Sequence, residues 1–177
     1  MATQLLHEGG VIAYPTESVF GLGCDPMNRT AVMRLLAIKQ RPVEKGVILI
    51  ADDFERLRPY VGALPAHKLQ QVLNQWPGPF TWLLPAAEGV PNWLTGAHES
   101  LAMRVTAHPI AAALCRAAGM PLVSTSANVS HGPPARSALQ TSIRCGAEVD
   151  LIIHGDTGGL ARPTPIRDAL SGETLRV

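Results

Sequence analysis

The sequence lacks the features of secreted, membrane-spanning and highly charged proteins. Its three cysteines, Cys24, Cys115 and Cys145, are far apart and odd in number, which argues against a disulfide framework and predicts reduced thiols in the cytoplasm. No apolar run approaches about 18 residues, and the N-terminus has no basic region followed by a long apolar one. Neither a membrane span nor a signal peptide is therefore predicted. The net charge is only +1, so any anion site has to be a local cluster of basic residues.

The common catalytic and nucleotide-binding motifs are also missing. There is no Gly-x-x-x-x-Gly-Lys-Ser/Thr loop, no Gly-x-Ser-x-Gly elbow and no His-Glu-x-x-His. The six histidines and three cysteines do not have metal-ligand spacing, so no metal site built by the protein is predicted. Gly21-Leu22-Gly23 follows a strand candidate, but Pro26 stands where a dinucleotide fingerprint needs its third glycine. We predict a tight turn at these glycines.

What the sequence has is an alternation of strand-length apolar runs and helix-like stretches. A hydrophobic content of 46% with 16% charged residues is typical of a compact globular protein. Strands are predicted at 11–14, 47–50, 80–84, 101–105, 122–123, 151–153, 165–169 and 173–177. Helices are predicted at 29–40 with Asn28 as N-cap, at 66–75, at 110–118 after Pro109, and at 137–145. This order predicts an α/β fold, a single domain over residues 1–177 with a twisted, open, mixed sheet and packed helices.

A cluster of basic residues occurs in "AIKQRPVEKG", residues 37–46, where Lys39, Arg41 and Lys45 fall within seven positions. Basic side chains at a helix C-terminus complement the helix dipole, and on this stretch alone that interpretation is favoured. The alternative is an anion clamp, because a lysine point charge and a planar arginine fork together suit a polyphosphate. The sequence leaves both interpretations open.

Arg104 interrupts the otherwise apolar strand candidate 101–105 and must find an anion there, because an unpaired buried charge is costly. The partner could be a protein carboxylate, such as Glu17 or Asp168, or a bound carboxylate.

Polar side chains also follow the ends of several predicted strands. Thr16 follows the first strand and could merely cap a helix. "STSAN" follows the run 121–123, and four polar groups at the end of one buried strand indicate a place where a polar ligand is held. In an open α/β sheet, ligands lie in a cleft outside the strand ends, where such groups converge.

Six stretches, taken in order, resemble one family. "YPTESVFGLGCD", "KQRPVEKGVILIA", "WPGPFTWLLPA", "SLAMRVTAHP", "PLVSTSANVSHGPP" and "IRDALSG" are similar to the YrdC-like family of threonylcarbamoyl-AMP synthases, of the single-domain TsaC type, over essentially the whole chain. The resemblance implies a YrdC-like fold with a concave ligand cleft. It also implies the synthesis of threonylcarbamoyl-AMP and pyrophosphate from L-threonine, bicarbonate and ATP, for the N6-threonylcarbamoyladenosine modification of tRNA.

The resemblance also implies a role for individual residues. The implied threonine-binding set is Thr16, Arg104, Ser124 and Thr164. The implied ATP-binding set is Lys39, Arg41, Lys45, Ser100, Ser126, Asn128 and Arg176, with Lys39 and Arg41 also expected to act in catalysis by offsetting charge on phosphate. Mg²⁺ is expected to arrive with ATP, held mainly by phosphate oxygens and water. Some relatives have a histidine on the strand after the basic loop, where this chain reads "GVILIADD", so threonine contacts there differ or are missing.

Expected partners are the three substrates, tRNA and the downstream tRNA threonylcarbamoyl-transfer proteins, with no membrane, for a chain that acts as a monomer. A first alternative is a non-catalytic RNA-binding module that uses the same cationic hollow. A second is a carbamoyl-transfer domain in protein maturation, as occurs inside larger proteins.

Overall fold

The computed structural model describes residues 1–128 and 132–176, and within these the chain forms one mixed sheet of nine strands in the order β7-β1-β2-β6-β3-β5-β4-β8-β9. The strands are β1 (Ile12–Pro15), β2 (Phe20–Gly23), β3 (Ile48–Ala51), β4 (Thr81–Pro85), β5 (Ser100–Val105), β6 (Leu122–Ser126), β7 (Leu151–Ile152), β8 (Ile166–Asp168) and β9 (Thr174–Arg176). Three pairs are parallel, β1 with β7, β3 with β5 and β4 with β8, and the other five are antiparallel. The predicted open mixed sheet is confirmed. Val177, the last residue of the predicted strand 173–177, lies outside the described residues.

The described part of the chain has seven α-helices, one before β1 and six between strands. They are α1 (Ala2–His7), α2 (Arg29–Lys39), α3 (Phe54–Leu57), α4 (Ala66–Leu73), α5 (Asn92–Thr95), α6 (Pro109–Ala118) and α7 (Ala138–Cys145), with short 3₁₀ turns at Val43–Lys45 and Arg58–Tyr60. None of the helices in residues 1–128 and 132–176 combines the length and the apolar character that crossing a membrane requires.

The predicted helix ends agree with the structure to within two residues. The Asn28 side chain accepts a hydrogen bond from the Ala31 amide and caps α2, as Asn does at helix N-termini. At the other end of α2, Gln40 takes the left-handed conformation with φ 48°, which stops the helix directly after Lys39. Pro109 opens α6, and Gly119, with φ 71°, ends it.

The prediction of a tight turn at Gly21-Leu22-Gly23 is wrong, because these residues form β2, paired antiparallel to β1. The glycines are needed for close approach. A Cβ on Gly23 would lie 2.7 Å from the Tyr14 ring and 2.7 Å from the Val123 carbonyl oxygen. Strand glycines often mark such contacts, and their low strand propensity concealed β2 in the sequence.

The strand predicted at 122–123 is longer than expected. β6 continues through Ser124 and Thr125 to Ser126, pairing with β3 at Ser124 and with β2 at Thr125 and Ser126. The polar residues of "STSAN" therefore begin within the strand and not after it, so the sheet itself holds their backbone.

Side-chain alternation places a hydrophobic cluster on each face of the sheet and the cleft on one of these faces. One face carries Leu49 and Val123 in a cluster with α2. The opposite face carries Ile50 and Leu122, which pack against α1 and α6 in a second cluster. Successive strand residues point to opposite faces, so Ser124 lies on the second face, two residues beyond Leu122. The ligand cleft therefore continues the face that α6 covers.

Candidate active site

A single cavity of about 680 Å³ contains most of the predicted site, a volume within the usual range for small-molecule sites, roughly 300–1,000 Å³. Its lining includes ten of the eleven residues implied by the resemblance: Thr16, Lys39, Arg41, Lys45, Ser100, Arg104, Ser124, Ser126, Asn128 and Thr164. The eleventh, Arg176, has its backbone in β9, and its side chain lies outside the described part of the structure. The sheet and the segments between its strands thus bring together groups from across the whole chain.

Arg104 lines this cavity from β5 and is only 6% exposed. Its Nη1 donates to the Thr164 hydroxyl at 2.8 Å and to the Thr81 hydroxyl at 3.1 Å. These two hydroxyls are themselves 3.2 Å apart. Thr81 comes from the neighbouring strand β4, and Thr164 from the segment before β8, so two separate parts of the chain orient the guanidinium.

The charge of Arg104 is compensated by Glu17, because Glu17 Oε2 lies 3.3 Å from Arg104 Nη2. The contact lacks hydrogen-bond geometry in the described structure, where Glu17 Oε2 and Arg104 Nε both lack a hydrogen-bond partner. Glu17 Oε1 accepts a 2.6 Å hydrogen bond from the Thr106 hydroxyl. Of the carboxylates that the sequence left open, Glu17 is therefore the partner, whereas Asp168 accepts from backbone amides after β8. Since Arg104 also lines the cavity, a bound anion remains a second partner.

Thr16 lies in the β1–β2 connection and does not cap a helix. Its hydroxyl donates to the Val19 carbonyl oxygen at 2.7 Å. A Cβ built on Gly21 would lie 3.3 Å from both the Thr16 methyl and the Ser124 hydroxyl. The missing side chain of Gly21 therefore leaves open cavity space between a methyl group and a hydroxyl.

Lys39 lies in the cationic part of the cavity and is only 5% exposed. Its ammonium donates to the Ser126 hydroxyl at 3.2 Å and to the backbone and side-chain oxygens of Asn128, both at 2.7 Å. Burial and the neighbouring Arg41 charge lower the pKa of Lys39 from its ordinary 10.5 to about 8. The ammonium is thus directed across the cavity to β6 and the residue just after it.

Arg41 and Lys45 complete the cationic group beside α2. The Arg41 guanidinium donates to the carbonyl oxygens of Lys45 and Gly46, which holds the basic loop in shape, and burial lowers the Arg41 pKa. With Arg104, four cations line the cavity, and the lining residues that the structure describes include no carboxylate. Clustered positive charge of this kind favours anions. This arrangement supports the anion clamp over the helix-dipole interpretation.

Sequence reasoning missed other residues of the cavity. Ser18 and His98 both line it. Ser18 could have been found, because it lies two residues after Thr16 in a stretch already singled out. His98 lies between α5 and β5, and nothing in the sequence around it indicated a site.

Comparisons with known proteins assign the chain to a family. A family model named Sua5/YciO/YrdC and described as "Telomere recombination" matches residues 4–177. A protein of Xanthomonas axonopodis pv. citri named threonylcarbamoyl-AMP synthase is 55% identical over 177 residues, covering 99% of this chain and 95% of that protein. The crystal structure of P. abyssi Sua5 complexed with L-threonine is 32% identical with a TM-score of 0.89, and this chain spans 49% of its length with 94% of its own. E. coli YciO is 31% identical with a TM-score of 0.84, over 99% of this chain and 88% of that one. The chain belongs to the Sua5/YciO/YrdC family.

Proposed function

We propose that this protein is a threonylcarbamoyl-AMP synthase. It forms threonylcarbamoyl-AMP and pyrophosphate from L-threonine, bicarbonate and ATP, for the N6-threonylcarbamoyladenosine modification of tRNA. The main support for the proposal is that one cavity contains both a buried arginine surrounded by hydroxyls and a group of three further cations. An amino acid and a nucleoside triphosphate need these two environments, and they react only if both are held in one space. The relatives named threonylcarbamoyl-AMP synthase support the same conclusion.

The two environments divide the substrates between them. The Arg104 guanidinium binds the carboxylate of threonine, in a site completed by Thr16, Ser124 and Thr164. The phosphates and nucleotide of ATP lie against Lys39, Arg41 and Lys45, with Ser100, Ser126, Asn128 and Arg176 as the other contacts. β6 links the two parts, because Ser124 and Ser126 are two residues apart on the same strand face.

Catalysis in this cavity rests on positioning and electrostatics. The amine of threonine attacks bicarbonate carbon to give a carbamate with loss of water, and a carbamate oxygen then attacks the α-phosphorus of ATP as pyrophosphate leaves. Lys39 and Arg41 offset the negative charge that develops on the phosphates. ATP would bring its Mg²⁺ ion with phosphate oxygens and water as ligands, neutralising phosphate charge, because the described lining residues offer no carboxylate.

We further propose that the protein acts as a monomer in the cytoplasm and that its adenylate feeds downstream tRNA threonylcarbamoyl-transfer proteins. Contact with tRNA is confined to the mouth of the cavity in this proposal, because the net charge of +1 gives little attraction over the rest of the surface.

Pyrophosphate release tests the proposed reaction. The protein should release pyrophosphate only when ATP, bicarbonate and threonine are all present. Serine should be a poorer substrate, because the loss of one methyl contact is worth about 1–3 kcal/mol, which lowers kcat/KM by roughly 10–200-fold. Equal turnover with serine or leucine would contradict threonine specificity. RNA binding with a steep salt dependence and no pyrophosphate release would favour the RNA-binding alternative.

The lowered pKa of Lys39 predicts a pH dependence of ATP binding. Above pH 8 the free protein increasingly holds a neutral Lys39 amine, whereas phosphate favours the ammonium form. ATP affinity should therefore fall as the pH rises from 7 to 9, with proton uptake on binding at pH 9, which calorimetry in buffers of different ionisation enthalpy measures. Lys39→Arg should lose the proton uptake, because a guanidinium stays charged. An ATP affinity that does not change between pH 7 and 9 would contradict the Lys39–phosphate contact.

The lowered pKa of Lys39 also affects the folding stability of the free protein, in the opposite direction to its effect on ATP affinity. Between pH 8 and 10.5 the unfolded chain binds more protons at Lys39 than the folded chain does. The contribution of this group to folding stability therefore rises with pH over that window.

A further inference from the structure

Ser18 is a buried hydroxyl on the cavity wall that has no hydrogen-bond partner among residues 1–128 and 132–176. It is only 3% exposed. Buried polar side chains nearly always have a partner, and an exception in a native fold needs an explanation. Two explanations are available: the group fits imperfectly, or its partner is a ligand.

The hydroxyls of Thr16, Thr81 and Thr164, by contrast, all have hydrogen-bond partners within the protein. Thr16 donates to the Val19 carbonyl oxygen, and Thr81 and Thr164 both accept from Arg104. Ser18 differs from all three, although it lines the same cavity as Thr16 and Thr164.

The backbone around Ser18 is held from two sides. The Thr16 carbonyl oxygen accepts from the Gly158 amide at 2.9 Å and the Glu17 carbonyl oxygen from the Leu160 amide at 3.0 Å, while the Phe20 amide donates to the Ala135 carbonyl oxygen at 2.7 Å. The main chain that carries the hydroxyl is therefore in place before any ligand binds, which reduces the entropy lost on binding.

Resting on the function proposed above, we propose that the Ser18 hydroxyl donates a hydrogen bond to an oxyanion of the substrates, the carboxylate of threonine or bicarbonate. Arg104 lines the same cavity and its Nε–H likewise lacks a partner in the described structure. Two buried unpaired donors, in a cavity that four cations line and to which the described residues contribute no carboxylate, complement a ligand that accepts hydrogen bonds and carries negative charge. Ser18 is thereby a binding residue that the sequence motifs did not indicate.

Ser18→Ala tests the proposal. The free variant should melt at the same temperature as the wild type or higher, because removing an unpaired buried hydroxyl takes away a desolvation cost and no bond. A lost hydrogen bond to a charged group should weaken substrate binding by about ten- to one-hundred-fold. The measurements are the calorimetric Kd of threonine and the KM values of threonine and of bicarbonate in carbonate-depleted buffer. A higher Kd or KM for threonine would assign the hydrogen bond to the carboxylate of threonine. A higher KM for bicarbonate alone would assign it to bicarbonate.

Thr141→Val is the matched control. Thr141 is a fully buried hydroxyl on α7 that donates to the Ser137 carbonyl oxygen at 2.9 Å and does not line the cavity. This variant should lose thermal stability and keep both KM values. If Ser18→Ala behaves in this way instead, the hydroxyl is structural and the proposal is wrong.

The outcome also separates this inference from the proposed function. Wild-type protein that releases pyrophosphate, together with a Ser18→Ala variant of unchanged Kd and KM, overturns only the role of Ser18. Wild-type protein that releases none overturns the synthase itself.

Discussion

Replacing Arg104 with methionine is expected to lower both the stability of the free protein and its affinity for threonine. Methionine keeps most of the bulk but leaves Glu17, whose Oε2 lies 3.3 Å from the guanidinium, as a buried carboxylate without its cation. Breaking a buried pair in this way costs about 3–5 kcal/mol of folding free energy. Loss of the substrate contact should cost about 2–5 kcal/mol in binding, at least a thirty-fold rise in the Kd of threonine. Chemical unfolding and calorimetry measure the two effects, and ATP binding should largely survive.

The double variant Glu17→Gln/Arg104→Met separates the two roles of the arginine. Glutamine removes the stranded charge, so most of the lost stability should return, while threonine affinity should stay low. A single Arg104→Met variant that is as stable as the wild type would show that the Glu17 contact contributes little. One that binds threonine normally would remove Arg104 from the substrate site.

Replacing Lys39 with methionine is expected to lower kcat by about 10²–10³-fold, the usual cost of removing one electrostatic group that acts on the transition state. The fold should survive, because the buried ammonium carries a desolvation cost that lowers its pKa, and methionine relieves it. Pyrophosphate release under saturating substrates measures kcat, and a thermal melt checks the fold. Arg41→Lys should also be impaired, since an ammonium does not reproduce the planar fork.

Lys68→Met is the control for Lys39→Met. Lys68 lies on α4 and is not part of the cavity lining, so the same chemical change there should leave kcat unaltered. If Lys39→Met instead loses stability and keeps its turnover, the basic cluster serves the helix dipole and the anion clamp is wrong.

The sequence predicted the sheet where hydrophobic periodicity was strong and failed where close contact decided the backbone. Runs such as 47–50 and 101–105 became β3 and β5 because apolar, branched side chains fit a buried pleated surface. β2 was missed because Gly21 and Gly23 have no side chains to form a pattern. Their role, room for Tyr14 and for the cavity, exists only once β1 and β6 lie alongside.

The candidate site, like the sheet, could be predicted from the sequence only in part. Its ionic and hydroxyl groups could be identified in advance because they lie in short polar stretches beside apolar strands. The partner of Arg104 could not, because Glu17 and Asp168 are equivalent in the sequence and only the strand order places Glu17 beside the guanidinium. The position of Ser18 beside Thr16 was visible in the sequence, but its burial and its lack of a partner among the described residues are seen only in the structure.

The assembly of the Arg104 site from three distant segments has a consequence for protein synthesis. Thr164, which the guanidinium contacts at 2.8 Å, leaves the ribosome sixty positions after Arg104. Domains begin to form from the N-terminus while translation, at about 5–20 residues per second, is still in progress. A nascent chain that has already formed β1 to β6 therefore has an arginine without its full set of hydroxyls. The full set of contacts that orients the guanidinium therefore forms only after Thr164 has left the ribosome.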